Sequence, residues 1–238
     1  MLSKQNNPTG DPMDPFDKYL LLMQKRPDLF RNTGEPGEIK IIQDPDRIRV
    51  EQARIQAKLC AEGKSENWID IGILAEDEWE YVVRDMVEFP GGRIGGYRRT
   101  INRKHLEGGT GVVIMPVQRD KVLLLKHYRH ESRNWYWEFP RGWGSPGLSA
   151  EENADKELKE EVGLLSNKLV LVWRDPETVF FYSEMNEGEP HHQDDEPIRR
   201  IETITFREVE SWISSSKITD WFTILTFLMA KDKGCFSL

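Results

Sequence analysis

The sequence has little cysteine and no long apolar run, and each shortage excludes a class of protein. Its two cysteines, Cys60 and Cys235, lie far apart and follow no metal-binding spacing, which indicates a reducing compartment and no disulfide framework. No apolar run approaches the length that crosses a bilayer, and no charged-then-apolar leader opens the chain. We therefore expect a soluble, cytoplasmic protein with no membrane partner.

The sequence also lacks an excess of positive charge. It carries 33 Lys and Arg against 41 Asp and Glu, a formal net charge of -8. A chain of this balance has no overall basic field with which to attract nucleic acid. Small phosphorylated ligands remain compatible with it, because local arginines and a bound metal can supply positive charge.

The 238 residues are enough for one sizeable domain with an extension. Residues 1–67 are interpreted as an N-terminal extension, in which residues 1–13 form a polar arm and Asp14 caps a short helix. Residues 68–108 contain short strand patterns and glycine pairs and are predicted to be a separate strand region. Residues 109–238 are predicted to form the main domain.

The main domain shows the pattern of strands enclosed by helices. The apolar runs VVIMPV and VLLLKHY, joined by the polar turn QRDK, predict a buried hairpin. Further strand patterns follow at LVLVW, TVFFYSE and IRRIETITF. Two closing helices are predicted at 207–214 and 220–231, the second with an apolar stripe that can cover a sheet. We predict an α/β fold, an α/β/α sandwich on a mixed sheet.

Residues 142–164 read GWGSPGLSAEENADKELKEEVGL and combine a tight loop with a helix. GWGSPG is rich in glycine and proline, which predicts a loop with no strand or helix. Ser149 followed by Glu152 fits a capping box, so the helix should begin at about Ala150. It should end near Gly163, a usual left-handed residue at a helix C-terminus.

Three carboxylates share one face of this helix, because Glu157, Glu160 and Glu161 are spaced i, i+3 and i+4. Like charges at this spacing cost about 0.2–0.5 kcal/mol per pair, and a bound cation would offset that cost. From spacing alone, a solvated face paired with Lys156 and Lys159 is the more common arrangement, because charge runs on helices are frequent.

Residues 142–164 resemble the signature of the Nudix hydrolase family, G-x5-E-x7-R-E-U-x-E-E-x-G-U, where U is a bulky aliphatic residue. Seven fixed positions match at the correct spacing: Gly142, Glu157, Leu158, Glu160, Glu161, Gly163 and Leu164. Two positions depart from the pattern, since Leu148 replaces the first glutamate and Lys156 replaces the arginine. Neither replacement removes a metal-binding carboxylate, although Lys156 lacks the planar fork of arginine.

The resemblance implies a hydrolase that uses Mg²⁺, with Mn²⁺ as a second choice, to cut a pyrophosphate bond. Divalent ions neutralise phosphoryl charge and lower the pKa of a bound water, while a carboxylate removes its proton. Glu157 and Glu161 are then the principal metal ligands, with Glu160 supporting them. In the family's ADP-ribose branch a general base often comes from a later loop, and Glu196, or its neighbour Asp195, is the candidate in EMNEGEPHHQDDEP.

Alternatives remain for that loop. An acidic, solvated loop without a catalytic role explains its composition equally well. The adjacent His191 and His192 could titrate near neutral pH, but adjacent histidines in a polar loop are more often bystanders.

Six residues are candidates for binding the nucleotide: Arg98, Arg99, Arg129, Arg133, Arg141 and Trp137. The last four lie in or beside a run of aromatic residues, where planar cations and rings could hold phosphates and stack a purine. Core packing is the competing explanation for one of the alternating aromatics.

The layout resembles that of the ADP-ribose pyrophosphatases, which implies a homodimer built on the strand region 68–108. Arg98 and Arg99 could then reach a nucleotide across the interface, although ordinary ion pairs are the more common explanation for such residues. ADP-ribose, cut to AMP and ribose 5-phosphate, is the implied small-molecule nucleotide substrate. The alternative is a Nudix-fold nucleotide sensor or interaction module, in which Leu148 and Lys156 mark weakened catalysis.

Overall fold

The computed structural model describes residues 13–237 and separates two compact units between Arg103 and Lys104. The polar arm predicted over residues 1–13 lies, apart from Met13, outside the described residues. No helix within residues 13–237 has both the length and the apolar character that crossing a membrane requires.

The first unit combines helices with an antiparallel sheet. Its elements are α1 (Pro15–Lys25), β1 (Lys40–Ile41), α2 (Pro45–Ala61), β2 (Gly72–Glu76), β3 (Glu80–Glu88) and β4 (Ile94–Asn102), with 3-10 turns at Pro27–Phe30 and Glu66–Ile69. Strand β3 is central, because β4 pairs with it along its whole length while β1 and β2 also pair with it. The helix predicted after Asp14 is present, and the Asp14 carboxylate accepts a hydrogen bond from the Phe16 N–H at 2.8 Å.

A polar group is buried inside this first unit. The Tyr19 hydroxyl donates to Asp85 Oδ1 at 2.7 Å, and Arg99 Nε donates to Asp85 Oδ2 at 2.6 Å. Asp85 is buried, and burial together with the Asp85 charge raises the pKa of Tyr19. These bonds satisfy a carboxylate that would otherwise be costly in the core.

The second unit is built on a seven-stranded sheet. After α3 (Arg103–Leu106), which spans the division, its elements are β5 (Gly111–Gln118), β6 (Lys121–Arg129), β7 (Asn134–Glu138), β8 (Arg141–Gly142), α4 (Ala150–Glu161), β9 (Ser166–Arg174), β10 (Thr178–Met185), β11 (Ile198–Ile204), α5 (Phe206–Ser214) and α6 (Trp221–Asp232). The main strand order is β11-β6-β5-β10-β9. The sheet is mixed, because β5 and β10 are parallel while the other pairs are antiparallel.

Alternate residues of β5 point to opposite faces of this sheet. Val112 and Ile114 pack in a cluster with residues of α4, whereas Val113 and Met115 pack in a cluster with residues of α5 and α6. Two helical layers therefore enclose the sheet. The predicted α/β/α sandwich is confirmed.

The β5–β6 hairpin is closed only near its turn. Arg119 and Asp120 have positive φ values of 50° and 59°, as a two-residue hairpin turn requires, and pairing between the strands ends at Val117 and Val122. Beyond that point β5 pairs with β8, and β6 pairs with β7. The segment from β7 to β8 thus crosses between the separated strands.

The structure differs from the sequence prediction in two details. The glycine-rich loop predicted from Gly142 begins one residue later, because Gly142 pairs with Val112 as part of β8. Trp68, predicted to start a strand, lies in a 3-10 turn. The closing helices begin beside the capping residues Thr205 and Asp220, within one residue of their predicted starts.

Candidate active site

Helix α4 begins and ends as its sequence predicts. The Ser149 Oγ accepts from the Glu152 N–H at 3.1 Å, and the Glu152 carboxylate accepts from the Ser149 N–H at 2.8 Å, which completes the capping box. Gly163 follows the helix with a φ of +71°, a conformation that favours glycine. The start and end of the helix are therefore fixed by local chemistry.

The buried face of α4 carries both apolar residues and glutamates. Ala154 and Leu158 pack against the sheet, and Glu157 and Glu161 are only 9% and 4% exposed. Glu160 lies at the edge of this face and is half-buried. The helix thus presents two carboxylates to the interior.

Burial changes the acidity of these groups. Loss of solvation, opposed in part by Lys156, raises the pKa of Glu157. Loss of solvation together with the charge of Glu157 raises the pKa of Glu161 well above its ordinary value, and the charge of Glu196 adds to both effects. A divalent cation would relieve the repulsion among these carboxylates.

Lys156 partly occupies the acidic face. Its Nζ lies 2.9 Å from Glu160 Oε2 and 3.5 Å from Glu157 Oε1. Lys156 therefore lies closer to Glu160 than to Glu157. Its role as a metal ligand stays a prediction.

Strand β8 lies directly against the two buried glutamates. The backbone N–H of Arg141 donates to Glu161 Oε2 at 3.0 Å. A Cβ added to Gly142 would lie only 2.1 Å from the carboxyl carbon of Glu157. The absence of a side chain at Gly142 therefore leaves the space that the Glu157 carboxylate occupies.

The acidic loop after β10 is attached to the end of α4 through its backbone. Three N–H groups donate to carbonyls near that end: Asn186 to Leu165 (3.0 Å), His191 to Val162 (2.9 Å) and Gln193 to Glu160 (3.0 Å). The loop carries Glu196, which is half-buried, whereas its neighbour Asp195 is exposed. Of these two candidate bases, Glu196 is the one that lies close to Glu161.

His127, which the sequence analysis did not select, joins this group. A ring nitrogen of His127 and one carboxylate oxygen each from Glu161 and Glu196 all lie within 4.8 Å of one another. Oxygen and nitrogen donors at this separation fit a divalent cation. The available signal was periodicity: His127 continues the alternation of Leu123 and Leu125, which pack in the α4 cluster.

Glu138 is a second residue that sequence reasoning missed. It is buried at the end of β7. Its Oε2 accepts hydrogen bonds from Arg129 Nε, at 2.9 Å, and from Arg129 Nη2. Arg141 Nη2 lies 3.2 Å from the same oxygen. Burial would raise the pKa of Glu138, but the neighbouring His127 ring, hydrogen bonding to Arg129 and the charge of Arg141 outweigh it and lower that pKa to about 2. Glu138 therefore remains ionised and holds two predicted phosphate binders in place.

Arg141 is held from its other side as well. Its Nη1 lies 3.0 Å from Asp220 Oδ1, and its guanidinium lies 4.5 Å from the centre of the Phe222 ring. Asp220 caps α6 by accepting from the N–H and the hydroxyl of Thr223 at 2.9 and 2.7 Å. The start of α6 thus fixes the position of Arg141.

A cavity of about 280 Å³ opens beside these groups. Its lining comprises Gly111, Val112, Val113, Arg129, Glu131, Arg141, Gly142, Trp143, Thr178 and Phe222. Two arginines and the 50% exposed ring of Trp143 give it both cationic and aromatic surface. This composition suits a phosphorylated ligand with a planar group.

The other predicted binders lie elsewhere. Trp137 is 3% exposed and packs in the core against Trp212, with ring centres 5.3 Å apart, which favours the packing explanation. Arg133 is exposed in the β6–β7 turn, 2.9 Å from His130 Nδ1. In the first unit, Arg98 is exposed.

Comparison with known proteins agrees with the fold and with the signature. The family model described as "NUDIX domain" matches residues 107–222. This stretch contains the sheet strands β5 to β11 and helix α4. Residues 107–222 therefore form a Nudix domain.

Among curated proteins, the chain is similar to "ADP compounds hydrolase NudE" of Escherichia coli (strain K12), with 33% identity over 92 residues. That match covers 38% of this chain and 50% of the relative, so the chain spans about half the length of the curated protein it matches.

Two solved structures are also similar. "Crystal structure of ADP compounds hydrolase" matches with a TM-score of 0.58 and 20% identity, over 70% of this chain and 92% of that one, which supports the fold. "NUDIX hydrolase from Nitrosomonas europaea" matches with a TM-score of 0.44 and 18% identity, over 52% of this chain and 89% of that one.

Proposed function

We propose that the protein is a divalent-metal-dependent pyrophosphohydrolase that cuts ADP-ribose into AMP and ribose 5-phosphate. One observation carries the proposal: the buried carboxylate of Glu161 lies close to Glu196, which comes from a different segment of the chain. Placing a second carboxylate beside a buried one is costly, and a bound cation that also contacts a phosphorylated substrate would offset that cost.

The chain's own groups suit hydrolysis of a diphosphate. Glu196 accepts a proton from the attacking water, whose oxygen forms a new bond to one phosphorus. The bond from that phosphorus to the bridging oxygen breaks, and the bridging oxygen leaves with the other phosphate. Arg129 and Arg141, held by Glu138, stabilise the negative charge on the phosphoryl oxygens.

We propose Mg²⁺ as the cation, with Mn²⁺ as the alternative, held by Glu157 and Glu161 and supported by Glu160. When bound, it neutralises phosphoryl charge and lowers the pKa of a water. Carboxylate oxygens are the ligands that both ions accept. Gly142 supports this assignment by leaving room for the Glu157 carboxylate.

The cavity supports a nucleoside diphosphate as substrate. The exposed ring of Trp143, which lines the cavity with Arg129 and Arg141, can stack on a purine. Adenine is favoured because the curated relative is named an ADP compounds hydrolase. We also propose that the nucleotide contacts Arg133, and that a partner subunit contributes Arg98 and Arg99.

The test is a hydrolysis assay with the full chain, ADP-ribose and Mg²⁺, with and without a chelator. We expect AMP and ribose 5-phosphate as products, and no turnover with chelator. Glu161→Gln should lower kcat at least about 100-fold, because it removes a charged metal ligand. Glu151→Gln is the matched control, since it makes the same change on the exposed first turn of α4 and should leave kcat unchanged.

A binding role is the second candidate, and one contact favours it. Lys156 lies within 3.5 Å of Glu157 and within 2.9 Å of Glu160, so it competes with a cation for two carboxylates. Calorimetry separates the two functions: nucleotide binding without turnover, across nucleoside diphosphate and triphosphate substrates, would identify a sensor and exclude the hydrolase.

We further propose a homodimer formed through the strand region 68–108, in a reducing cytoplasmic compartment. Large exposed rings at Trp68, Trp79 and Tyr97 support the dimer, because such surface is often buried between subunits. The free thiols of Cys60 and Cys235 support the compartment. Light scattering of the purified protein tests the dimer, and a monomeric mass would contradict it.

A further inference from the structure

We propose that His127 is a metal ligand, and that its Nε2, with the carboxylates of Glu161 and Glu196, forms a mixed nitrogen and oxygen site for a divalent transition metal. The inference rests on the proposed function for the presence of a cation. It goes beyond it by adding a ligand from β6 that the signature does not contain, by giving the Glu196 carboxylate a metal contact in addition to its proposed role as base, and by changing the expected choice of metal.

The burial and orientation of His127 are the first support. Its side chain is 5% exposed, and its Nε2 is buried without a hydrogen-bond partner among the described residues. Leaving a buried polar atom without a partner destabilises the fold. The same ring has a nitrogen within 4.8 Å of oxygens of Glu161 and Glu196, so a cation there would satisfy the ring and both carboxylates.

The second ring nitrogen supplies independent support. His127 Nδ1 lies 3.6 Å from Oε2 of Glu138, a buried carboxylate that pairs with Arg129 and Arg141. A carboxylate beside Nδ1 favours the tautomer with the proton on Nδ1. The lone pair then lies on Nε2, and a carboxylate behind the ring is the usual support of a metal-binding histidine.

A nitrogen donor changes which metal binds best. Carboxylate and water oxygens suit Mg²⁺, whereas imidazole suits the transition metals. We therefore expect the protein to bind Mn²⁺ more tightly than Mg²⁺, and His127 to account for most of the difference. His127→Gln should weaken Mn²⁺ binding about 10–100-fold while it changes Mg²⁺ binding less than about threefold.

The experiment uses the full chain and the metal alone, without nucleotide. Calorimetry gives the Mn²⁺ and Mg²⁺ affinities, and pulsed electron paramagnetic resonance of the Mn²⁺ complex detects a directly bound nitrogen. We expect nitrogen modulation in the unsubstituted protein and its loss in His127→Gln. His130→Gln is the matched control, because His130 is exposed just beyond the same strand, and the modulation should persist in it.

Two results would overturn the proposal. Mn²⁺ binding without nitrogen modulation would exclude His127 and leave the hydrolase with its glutamate ligands intact. Modulation that persists in His127→Gln would assign the nitrogen to another residue. An absence of Mn²⁺ and Mg²⁺ binding would instead contradict the metal site of the proposed function as well.

The test does not depend on one variant. If His127→Gln fails to fold, the other four of the five histidines are replaced one at a time. Nitrogen modulation that survives all four replacements assigns it to His127. Its loss in any one of them overturns the proposal.

Discussion

Gly142 and Glu157 occupy adjoining space, and a single added carbon on Gly142 would lie 2.1 Å from the Glu157 carboxyl carbon. The atom that must move is the end of a flexible side chain and not backbone. Gly142→Ala should therefore displace the carboxylate while it costs little stability. The position of the Glu157 carboxylate, a predicted metal ligand, therefore depends on the signature glycine Gly142.

We predict that Gly142→Ala lowers Mn²⁺ affinity about tenfold, as misplacement of a ligand does, with the unfolding midpoint almost unchanged. Calorimetry and thermal unfolding measure the two effects. The control is the same substitution in a Glu157→Gln protein, where most of the effect on affinity should disappear because the displaced carboxylate is already gone. Equal effects in both backgrounds would contradict the coupling.

Gly163→Ala should weaken both the fold and turnover. The residue has a φ of +71°, and an added Cβ would lie 2.3 Å from the His191 ring in the loop that carries Glu196. We expect a loss of about 1–2 kcal/mol from the backbone alone and a lower kcat for ADP-ribose because the loop moves.

Gly147→Ala is the matched control, since its φ is +89° and no atom of the described residues lies within 4 Å of the added carbon. It should lose comparable stability and keep its kcat. A similar fall in kcat for both variants would show that the His191 contact does not set the position of the loop.

Glu138 should give the protein a specific acid sensitivity. Its pKa is about 2 in the folded chain against an ordinary value of 4.5, so on acidification the unfolded state takes up the proton first. The stabilisation is complete above about pH 4.5 and is lost as the pH falls toward 2, and it amounts to roughly 3 kcal/mol.

Glu138→Gln should therefore lose about 3–5 kcal/mol near neutral pH, because Arg129 and Arg141 lose a buried counter-ion. Its stability should also fall less steeply below pH 4.5. Urea unfolding from pH 3 to 7 measures both effects. Glu187→Gln breaks an exposed pair with Arg119 and should change little; an equal loss there would point to a general charge effect.

The two adjacent arginines of β4 should behave differently. Arg99→Ala leaves the buried Asp85 with Tyr19 as its remaining described partner and should cost about 2–4 kcal/mol. Arg98 is exposed, and Arg98→Ala should change stability by less than about 0.5 kcal/mol. A higher KM for ADP-ribose in Arg98→Ala alone would support its predicted contact with the nucleotide, and an unchanged KM would contradict it.

Local chemistry accounts for what the sequence predicts well. Ser149, Glu152 and Gly163 fix the ends of α4 through bonds and dihedral angles confined to a few neighbouring residues, so their pattern is visible in the chain. The sandwich follows from apolar alternation along strands such as β5.

Local sequence patterns do not reveal contacts between segments that are distant in the chain. Glu138 interacts with Arg129 across neighbouring strands, and no spacing rule connects Arg141 to Asp220, the residue that caps α6. Trp137 was predicted to stack on a purine because it lies among arginines and aromatic residues. The alternation of side chains along β7 instead buries it in the core. The placement of His127 depends on a loop 60–70 residues later in the chain.

Three main-chain bonds join the loop after β10 to the end of α4, since the N–H groups of Asn186, His191 and Gln193 bind carbonyl oxygens. Such bonds do not depend on which side chains those positions carry. The loop can therefore accept substitutions at those three positions while Glu196 keeps its location. The position of Glu196 and the sequence of the loop are, to that extent, free to evolve separately.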